Sequence, residues 1–273
     1  MIHMWWLKRK GVAMKRLACF FLLVYLFTWT FWGLSLLEST DIIVLPFPRE
    51  YFGIVGGFGP SVMGLYFLIR YRKRSFKSII GETFKLKTDG KNIFVIFALM
   101  PSILGMSYLI TRFVFGIEYT LEWFNQPAFI PIVFLYILFL GGPLGEEIGW
   151  RGYALPKLMK RYSPFIASLI LGLVWAFWHL PAFFIAGSSQ EGISFPLYII
   201  NTIVLTLIIT ILYLRTKQIS SALYFHTSAN FALGIFYIID EPMALLFIGI
   251  GMVGSLGYLL YRERETMFSR RTM

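Results

Sequence analysis

Long apolar runs recur along the whole chain, and they constrain its fold more than any other feature. An α-helix needs about 20 apolar residues to cross about 30 Å of hydrocarbon. Eight candidate spans meet or approach this length: residues 17–37, 52–69, 92–111, 129–145, 164–186, 195–214, 219–239 and 242–261. A membrane β-barrel would instead show alternating segments of about ten residues, which do not occur here. The pattern therefore predicts an all-α, polytopic membrane protein with about eight transmembrane helices.

The composition supports a single membrane domain over residues 1–273. Hydrophobic residues make up 58% of the chain and charged residues only 14%, whereas soluble domains average roughly 45–50% apolar residues. The first apolar run follows a basic segment, as in a signal peptide, but it is long enough to span and no small-residue cleavage motif follows it. We therefore expect a retained first helix. The single cysteine, Cys19, excludes an intrachain disulfide framework and a cysteine-rich metal site.

The positive charge of the chain is distributed as a topology signal. The net charge is +11, from 25 basic and 14 acidic residues. Basic residues concentrate at both termini and in the connections 70–91, 146–163 and 215–218, whereas only Arg49 and Arg112 fall on the other side. The positive-inside rule then predicts cytoplasmic termini, in what we expect to be the cytoplasmic membrane of a prokaryote. We expect membrane lipids as partners and no nucleic acid.

A few polar residues interrupt the predicted spans. Glu146 and Glu147 end the fourth apolar run, His179 lies in the fifth, and His226 and Asn230 lie in the seventh. Taken one at a time, such residues can be hydrogen-bonding contacts between helices or the mark of a helix end. An ionisable group at membrane depth costs several kcal/mol, however, so such groups usually face a cavity and pair with one another.

The spacing of these residues predicts that they converge. Glu146 and His179 lie on either side of a basic turn centred between residues 162 and 163, so a helical hairpin folded there would place them side by side. His226 and Asn230 are four residues apart and share one helix face. We therefore expect the four side chains to meet in one layer in the cytoplasmic half of the bilayer.

Glu147 and Arg151 are also four residues apart. This spacing predicts an ion pair on one helix face. We expect the pair to hold the helix and orient the neighbouring Glu146, in preference to taking part in the chemistry itself.

The predicted cluster has the chemistry of a peptide hydrolase without a serine or cysteine nucleophile. A carboxylate and an imidazole around one water can remove its proton, and a second imidazole and an amide can donate to a developing oxyanion. Glu146, His179 and His226 with one water would also form an accepted catalytic zinc set, so zinc is an alternative cofactor; no other cofactor is expected.

One non-enzymatic alternative follows from the same residues. Intramembrane acidic and histidine side chains also mark proton-coupled transporters, and the "GGP" at 141–143 indicates a helix break of the kind such proteins use. No internal repeat supports that function.

Three motifs together resemble the CPBP family of intramembrane proteases. This family contains the type II CAAX prenyl endopeptidases and bacteriocin-processing or immunity proteins, and its core has eight helices. The resemblance therefore adds a second non-enzymatic alternative, a scaffold that gives immunity by binding a bacteriocin or its receptor. The family motif EExxxR matches Glu146, Glu147 and Arg151, FxxxH is met at His179 with Trp175 in the aromatic position, and HxxxN matches His226 and Asn230. The resemblance covers about residues 129–240, which is the predicted catalytic core.

The resemblance implies a role for each matched residue. It implies that Glu146 activates water with His179, while His226 and Asn230 stabilise the oxyanion. It also implies cleavage of a peptide bond near the cytoplasmic face in a peptide or protein substrate. Eukaryotic members act on prenylated C-termini, but the sequence does not specify whether the substrate of this chain is lipidated.

Overall fold

The chain folds as a bundle of helices. The computed structural model describes residues 2–119, 121–236, 238 and 241–269, with side chains from residue 14 onward except those of residues 122 and 123. Within this part of the chain no strand occurs. The end of the predicted run 219–239 and the basic residues of the C-terminal tail beyond 269 lie outside the described residues.

The bundle consists of long helices joined by short turns and helical fragments. The helices are α1 (Ile2–Ser39), α2 (Arg49–Gly57), α3 (Gly59–Arg72), α4 (Phe76–Phe84), α5 (Gly90–Phe113), α6 (Ile130–Phe139), α7 (Pro143–Glu147), α8 (Leu155–Leu158), α9 (Pro164–Trp178), α10 (Phe195–Thr216), α11 (Ile219–Phe236), α12 (Pro242–Arg262) and α13 (Arg264–Phe268). A π-helical segment, Ile148–Ala154, joins α7 to α8, and 3₁₀ turns occupy Glu122–Asn125, Pro127–Phe129 and Leu180–Phe184.

Seven helical segments of the described chain are long and apolar enough to cross a membrane. They are Met14–Ser39, Arg49–Arg72, Gly90–Phe113, Pro127–Leu158, Pro164–Phe184, Phe195–Thr216 and Pro242–Arg262. The prediction of an all-α integral membrane protein is therefore confirmed. The predicted span 219–239 forms the 18-residue helix α11 but does not meet the same criterion. The serines, Thr227, His226 and Asn230 lower the mean hydropathy of α11. Most of these polar side chains are buried inside the bundle and do not face lipid.

The core has two parts that meet at the predicted site. One apolar cluster is formed mainly by α5, α10, α11 and α12, and the other by α1, α3, α9 and the segment following α7. Helix α11 belongs to the first cluster and contacts α7 and the π-helical segment. The segment that carries the two glutamates is therefore held between the two halves of the bundle.

A close backbone contact fixes this segment against α3. A Cβ atom added at Gly149 would lie 2.2 Å from the carbonyl oxygen of Pro60, and one added at Gly64 would lie 2.7 Å from Cα of Gly149. Only glycine permits this approach, because the neighbouring atoms are backbone and cannot rotate away. The backbones of α3 and the glutamate-bearing segment are therefore too close for even one methyl group to fit between them.

We expect Gly149→Ala to destabilise the protein by about 1–3 kcal/mol, the usual cost of overpacking a filled core. The matched control is Gly257→Ala on α12, where an added Cβ meets no atom within 4 Å. Thermal unfolding in detergent measures both variants. Equal unfolding temperatures for Gly149→Ala and wild type would contradict the close contact.

Candidate active site

A sharp break in the chain precedes the two glutamates. Helix α6 ends at Phe139, and Gly142 adopts a φ of +109° before α7 begins at Pro143. Glycine is favoured there because this backbone conformation strains residues that carry a Cβ. A Cβ at Gly142 would also lie 2.8 Å from Oε1 of Glu146. The break therefore both redirects the chain and leaves room for the first glutamate.

Glu146 is buried and is held by two indole donors. Its side chain is only 4% exposed. Oε2 accepts a hydrogen bond from Nε1 of Trp175 and another, at 3.3 Å, from Nε1 of Trp150. Trp150 lies one turn further along the same segment, whereas Trp175 comes from α9. The two donors fix one carboxylate oxygen of Glu146.

Trp175 lies at the centre of the site. Besides its bond to Glu146, its ring centroid lies 5.1 Å from the ring of His226 and 6.0 Å from the ring of His179. Its backbone carbonyl contacts Nδ1 of His179 at 3.0 Å. Both histidines are more than nine-tenths buried. One tryptophan thus touches the carboxylate and both imidazoles predicted to act together.

Glu147 joins Arg151 to His226. Its Oε1 accepts from Nη1 of Arg151 at 2.9 Å and contacts Nδ1 of His226 at 2.9 Å. The side chains of Glu147 and Arg151 are both fully buried. The guanidinium of Arg151 also lies over the ring of Trp175, 4.6 Å from its centroid, and Nη2 is 3.5 Å from Oγ1 of Thr206. This ion pair is therefore packed directly against the site.

Asn230 reaches the break between α6 and α7. Its Nδ2 donates to the carbonyl oxygen of Gly141 at 3.3 Å. Gly141 immediately precedes Gly142, the residue that approaches Glu146. The amide of Asn230 therefore lies next to the break between α6 and α7. It is one turn of α11 beyond His226.

The structure gathers the predicted residues, with one difference in how they meet. The chain reverses between α8 and α9 at residues 159–163, where the sequence predicts the turn. Among the described side chains, however, no hydrogen bond joins Glu146 to His179; both contact Trp175 instead. The sequence spacing predicts neighbouring helices for these two residues, and the contacts observed between them run through Trp175.

The predicted zinc set is not assembled. Among the described residues, no group of three or more His, Cys, Asp or Glu side chains is arranged to hold a metal ion. Glu146, His179 and His226 are grouped around Trp175 and do not form such a set.

Sequence reasoning missed three residues that contact the site. Trp150 is four residues after Glu146, a spacing that could have indicated its contact. The motif match identifies Trp175 only as an aromatic residue, whereas its indole adds a hydrogen-bond donor that phenylalanine lacks. Thr206 lies on α10 in a row with Thr202 and Thr210, which are spaced four residues apart. This spacing could have indicated a polar face of α10 directed into the bundle.

We expect Trp175→Phe to lower kcat/KM about tenfold or more without abolishing activity. The change keeps an aromatic ring but removes one hydrogen bond to a carboxylate, and such bonds contribute about 1.5–3 kcal/mol. The matched control is Trp29→Phe, which loses an indole bond to the backbone oxygen of Trp178. Steady-state kinetics of both variants give the comparison. An unchanged kcat/KM in Trp175→Phe would show that the bond does not position Glu146.

Comparison with known proteins identifies the family that this chain resembles. Residues 127–232, which include the six predicted site residues and the side chains of Trp150, Trp175 and Thr206, match the family described as type II CAAX prenyl endopeptidase Rce1-like. The chain is also 31% identical over 206 residues to a CAAX prenyl protease 2 from Methanococcus maripaludis; the match covers 68% of this chain and 74% of the relative.

Proposed function

The chain belongs to the Rce1-like family of type II CAAX prenyl endopeptidases and is an intramembrane protease, and from this premise we propose that Glu146 and His179 activate the water that cleaves its substrate. The family supports hydrolysis over the transporter and immunity-scaffold alternatives. The catalytic core in this proposal is residues 129–240 of a single membrane domain.

The contacts around Trp175 carry this proposal. The carboxylate of Glu146 accepts from its indole, and both His179 and His226 contact its ring. Glu146 lies in α7, His179 directly follows α9 and His226 lies in α11, so tens of residues separate these groups in sequence. Buried titratable groups gathered in this way, within a protease family, support a shared catalytic role.

Proton transfer in the proposed reaction begins at Glu146. The carboxylate takes a proton from water, and the oxygen of that water forms a bond to the carbonyl carbon of the peptide. His179 assists: when its Nδ1–H donates to the backbone oxygen of Trp175, Nε2 is left as an acceptor. The tetrahedral intermediate then breaks its C–N bond, and the proton passes to the leaving amine.

The proposed oxyanion donors are His226 and Asn230. Because Nδ1 of His226 contacts Glu147, Nε2 can donate to an oxyanion when the ring is an imidazolium, and the carboxylate then supplies the opposing charge. The second amide hydrogen of Asn230 is the other donor, since the first is directed to Gly141. Glu147 and Arg151 position these groups without touching the substrate.

We propose a CAAX-type substrate that carries a prenyl group and is cleaved near the cytoplasmic face. The similarity to the CAAX prenyl protease 2 of Methanococcus maripaludis supports this substrate class. The distribution of basic residues supports cytoplasmic termini in a prokaryotic cytoplasmic membrane. A lipid tail would keep such a substrate at the depth of the buried carboxylate.

Mass spectrometry of a farnesylated CAAX peptide, incubated with the protein in lipid vesicles, tests this proposal. We expect release of the C-terminal tripeptide and little cleavage of the same peptide without the farnesyl group. Equal cleavage of both peptides would remove the prenyl requirement, and no cleavage of either would contradict the substrate class.

We also expect full activity in the presence of a metal chelator, because the proposed base acts without a metal. The same cleavage assay with and without the chelator, together with elemental analysis of the purified protein, makes the measurement. Activity that is lost with the chelator and restored by zinc would overturn the metal-free mechanism.

A further inference from the structure

A cleft of about 490 Å³ opens at the basic end of the bundle, away from the catalytic residues. It lies where the C-terminal ends of α3 and α10 meet α4 and the start of α11. One carboxylate, that of Glu82, lines it together with five cationic side chains. The cations are Arg72, Arg74, Lys85, Lys87 and Lys217. We refer to this cleft as the basic pocket.

Hydrogen bonds hold the backbone of Lys85 and Lys87, two residues of the basic pocket, against the start of α11. Gln218 accepts from the amide of Lys87 at 2.8 Å and donates to its carbonyl at 2.6 Å. Ser220 donates to the carbonyl of Lys85 at 2.7 Å. Because the chain between them is extended, Lys85 and Lys87 lie on one side, while Leu86 packs against the core. The pocket wall is therefore fixed in place, unlike that of a mobile surface loop.

The basic pocket has an excess of positive charge. Glu82 pairs with Arg74 and also accepts from Ser78. Partial burial alone would raise the pKa of Glu82, but the hydrogen bonds from Arg74 and Ser78 hold it below its usual value. Among the described residues, Arg72, Lys85 and Lys87 form no ion pair.

The helix ends at the pocket do not cancel this charge. The C-termini of α3 and α10 contribute roughly half a negative charge each. Arg72, Lys85 and Lys87, which remain beside the Arg74–Glu82 pair, exceed the charge of the two helix ends by about two positive charges. An anion with more than one charged or hydrogen-bonding oxygen is the ligand that suits such a site.

We propose that the basic pocket binds the phosphate group of an anionic membrane lipid. Two membrane-crossing segments, Arg49–Arg72 and Phe195–Thr216, end at the pocket, which places it at the depth of lipid headgroups. Its floor is apolar and includes the buried side chains of Leu68 and Ile219. A lipid offers an anionic group to the cations and an apolar chain beside the floor, whereas free phosphate offers only the first.

The pocket also borders the segment that carries the proposed positioning residues. Gly152 and Pro156 line it, and Gly152 directly follows Arg151 in the π-helical segment. A lipid bound here would contact Gly152 and Pro156, which line the pocket only when the protein is folded. Binding to the folded state alone raises the unfolding temperature by mass action, so occupancy of the basic pocket should stabilise the helix that holds the site.

Native mass spectrometry of the full chain in detergent, with added phosphatidylglycerol or phosphatidylcholine, tests the proposal. We expect wild type to retain phosphatidylglycerol in preference to phosphatidylcholine. Lys85→Gln combined with Lys87→Gln should weaken phosphatidylglycerol binding about tenfold or more, since each basic residue near a membrane surface adds about a factor of five. The matched control is Lys77→Gln with Lys91→Gln, two exposed lysines of the same basic region outside the pocket.

Three results would overturn the proposal. Equal losses in the pocket and control variants would show a diffuse surface effect. Saturation and thermal stabilisation by millimolar inorganic phosphate alone, without a preference for lipid, would assign the pocket to a soluble phosphate. An increased Kd for an acidic peptide in the pocket variant, with lipid binding unchanged, would make it a peptide site. Because lipid binding is measured directly, these results do not depend on the proposed proteolysis.

Discussion

Glu146→Gln should lower kcat for a cleaved peptide by about a thousandfold or more and leave KM nearly unchanged. General base catalysis contributes about 10²–10⁴-fold, and an amide of the same shape cannot accept the proton of water. The amide oxygen can still accept from Trp150 and Trp175, so the fold around it should remain intact. Kinetics with the farnesylated peptide, together with thermal unfolding of the same preparation, provide the measurement.

The control for this prediction is Glu265→Gln, which removes an exposed carboxylate on α13 far along the chain from the site. It should behave as wild type. Residual activity of Glu146→Gln within tenfold of wild type would contradict the role of the base. A phenotype in cells that survives Glu146→Gln would support a scaffold, and proton flux in vesicles that requires Glu146 would support a transporter.

The apolar runs predicted most of the helices because membrane burial leaves a strong signal in sequence. The turn before Pro164 and the break at Gly142 were also predicted, since basic residues and a glycine pair mark them. Helix α11 shows the opposite case: its inward-facing polar residues identify it as the site helix and at the same time reduce its apolar signal. The π-helical segment after Glu147 has no distinct composition and was not predicted.

Contacts within one helix could be predicted, whereas contacts between helices could not. Glu147 and Arg151 share a face by spacing alone, and their ion pair is present. The bond from Glu147 to His226 joins residues 79 positions apart. Which of two neighbouring glutamates faces which histidine depends on the rotation of α7 about its axis, and that rotation is set by the close contact of Gly149 with α3. The packing of α7 against α3 therefore determines which glutamate contacts His226, which the spacing within one helix does not.

The ion pair between Glu147 and Arg151 should carry the largest stability effect in the chain. Arg151→Met leaves the carboxylate of Glu147 buried with only His226 as a partner. Removing one member of a buried ion pair usually costs about 3–5 kcal/mol, because the remaining charge has lost its compensation. We therefore expect a large drop in unfolding temperature in detergent. The matched control is Arg112→Met, which breaks a surface pair with Glu118 and should leave that temperature unchanged.

The double variant Glu147→Gln with Arg151→Met separates charge compensation from packing. Neither charge remains, and the glutamine can still accept a hydrogen bond from His226, so the double variant should be more stable than Arg151→Met alone. The resulting coupling in a double-mutant cycle is expected to be about 1–3 kcal/mol, the range for residues in direct contact. Additive losses would show that each side chain acts by packing alone. Activity should nevertheless stay low in the rescued protein, because the neutral glutamine cannot supply the charge that opposes an imidazolium at His226.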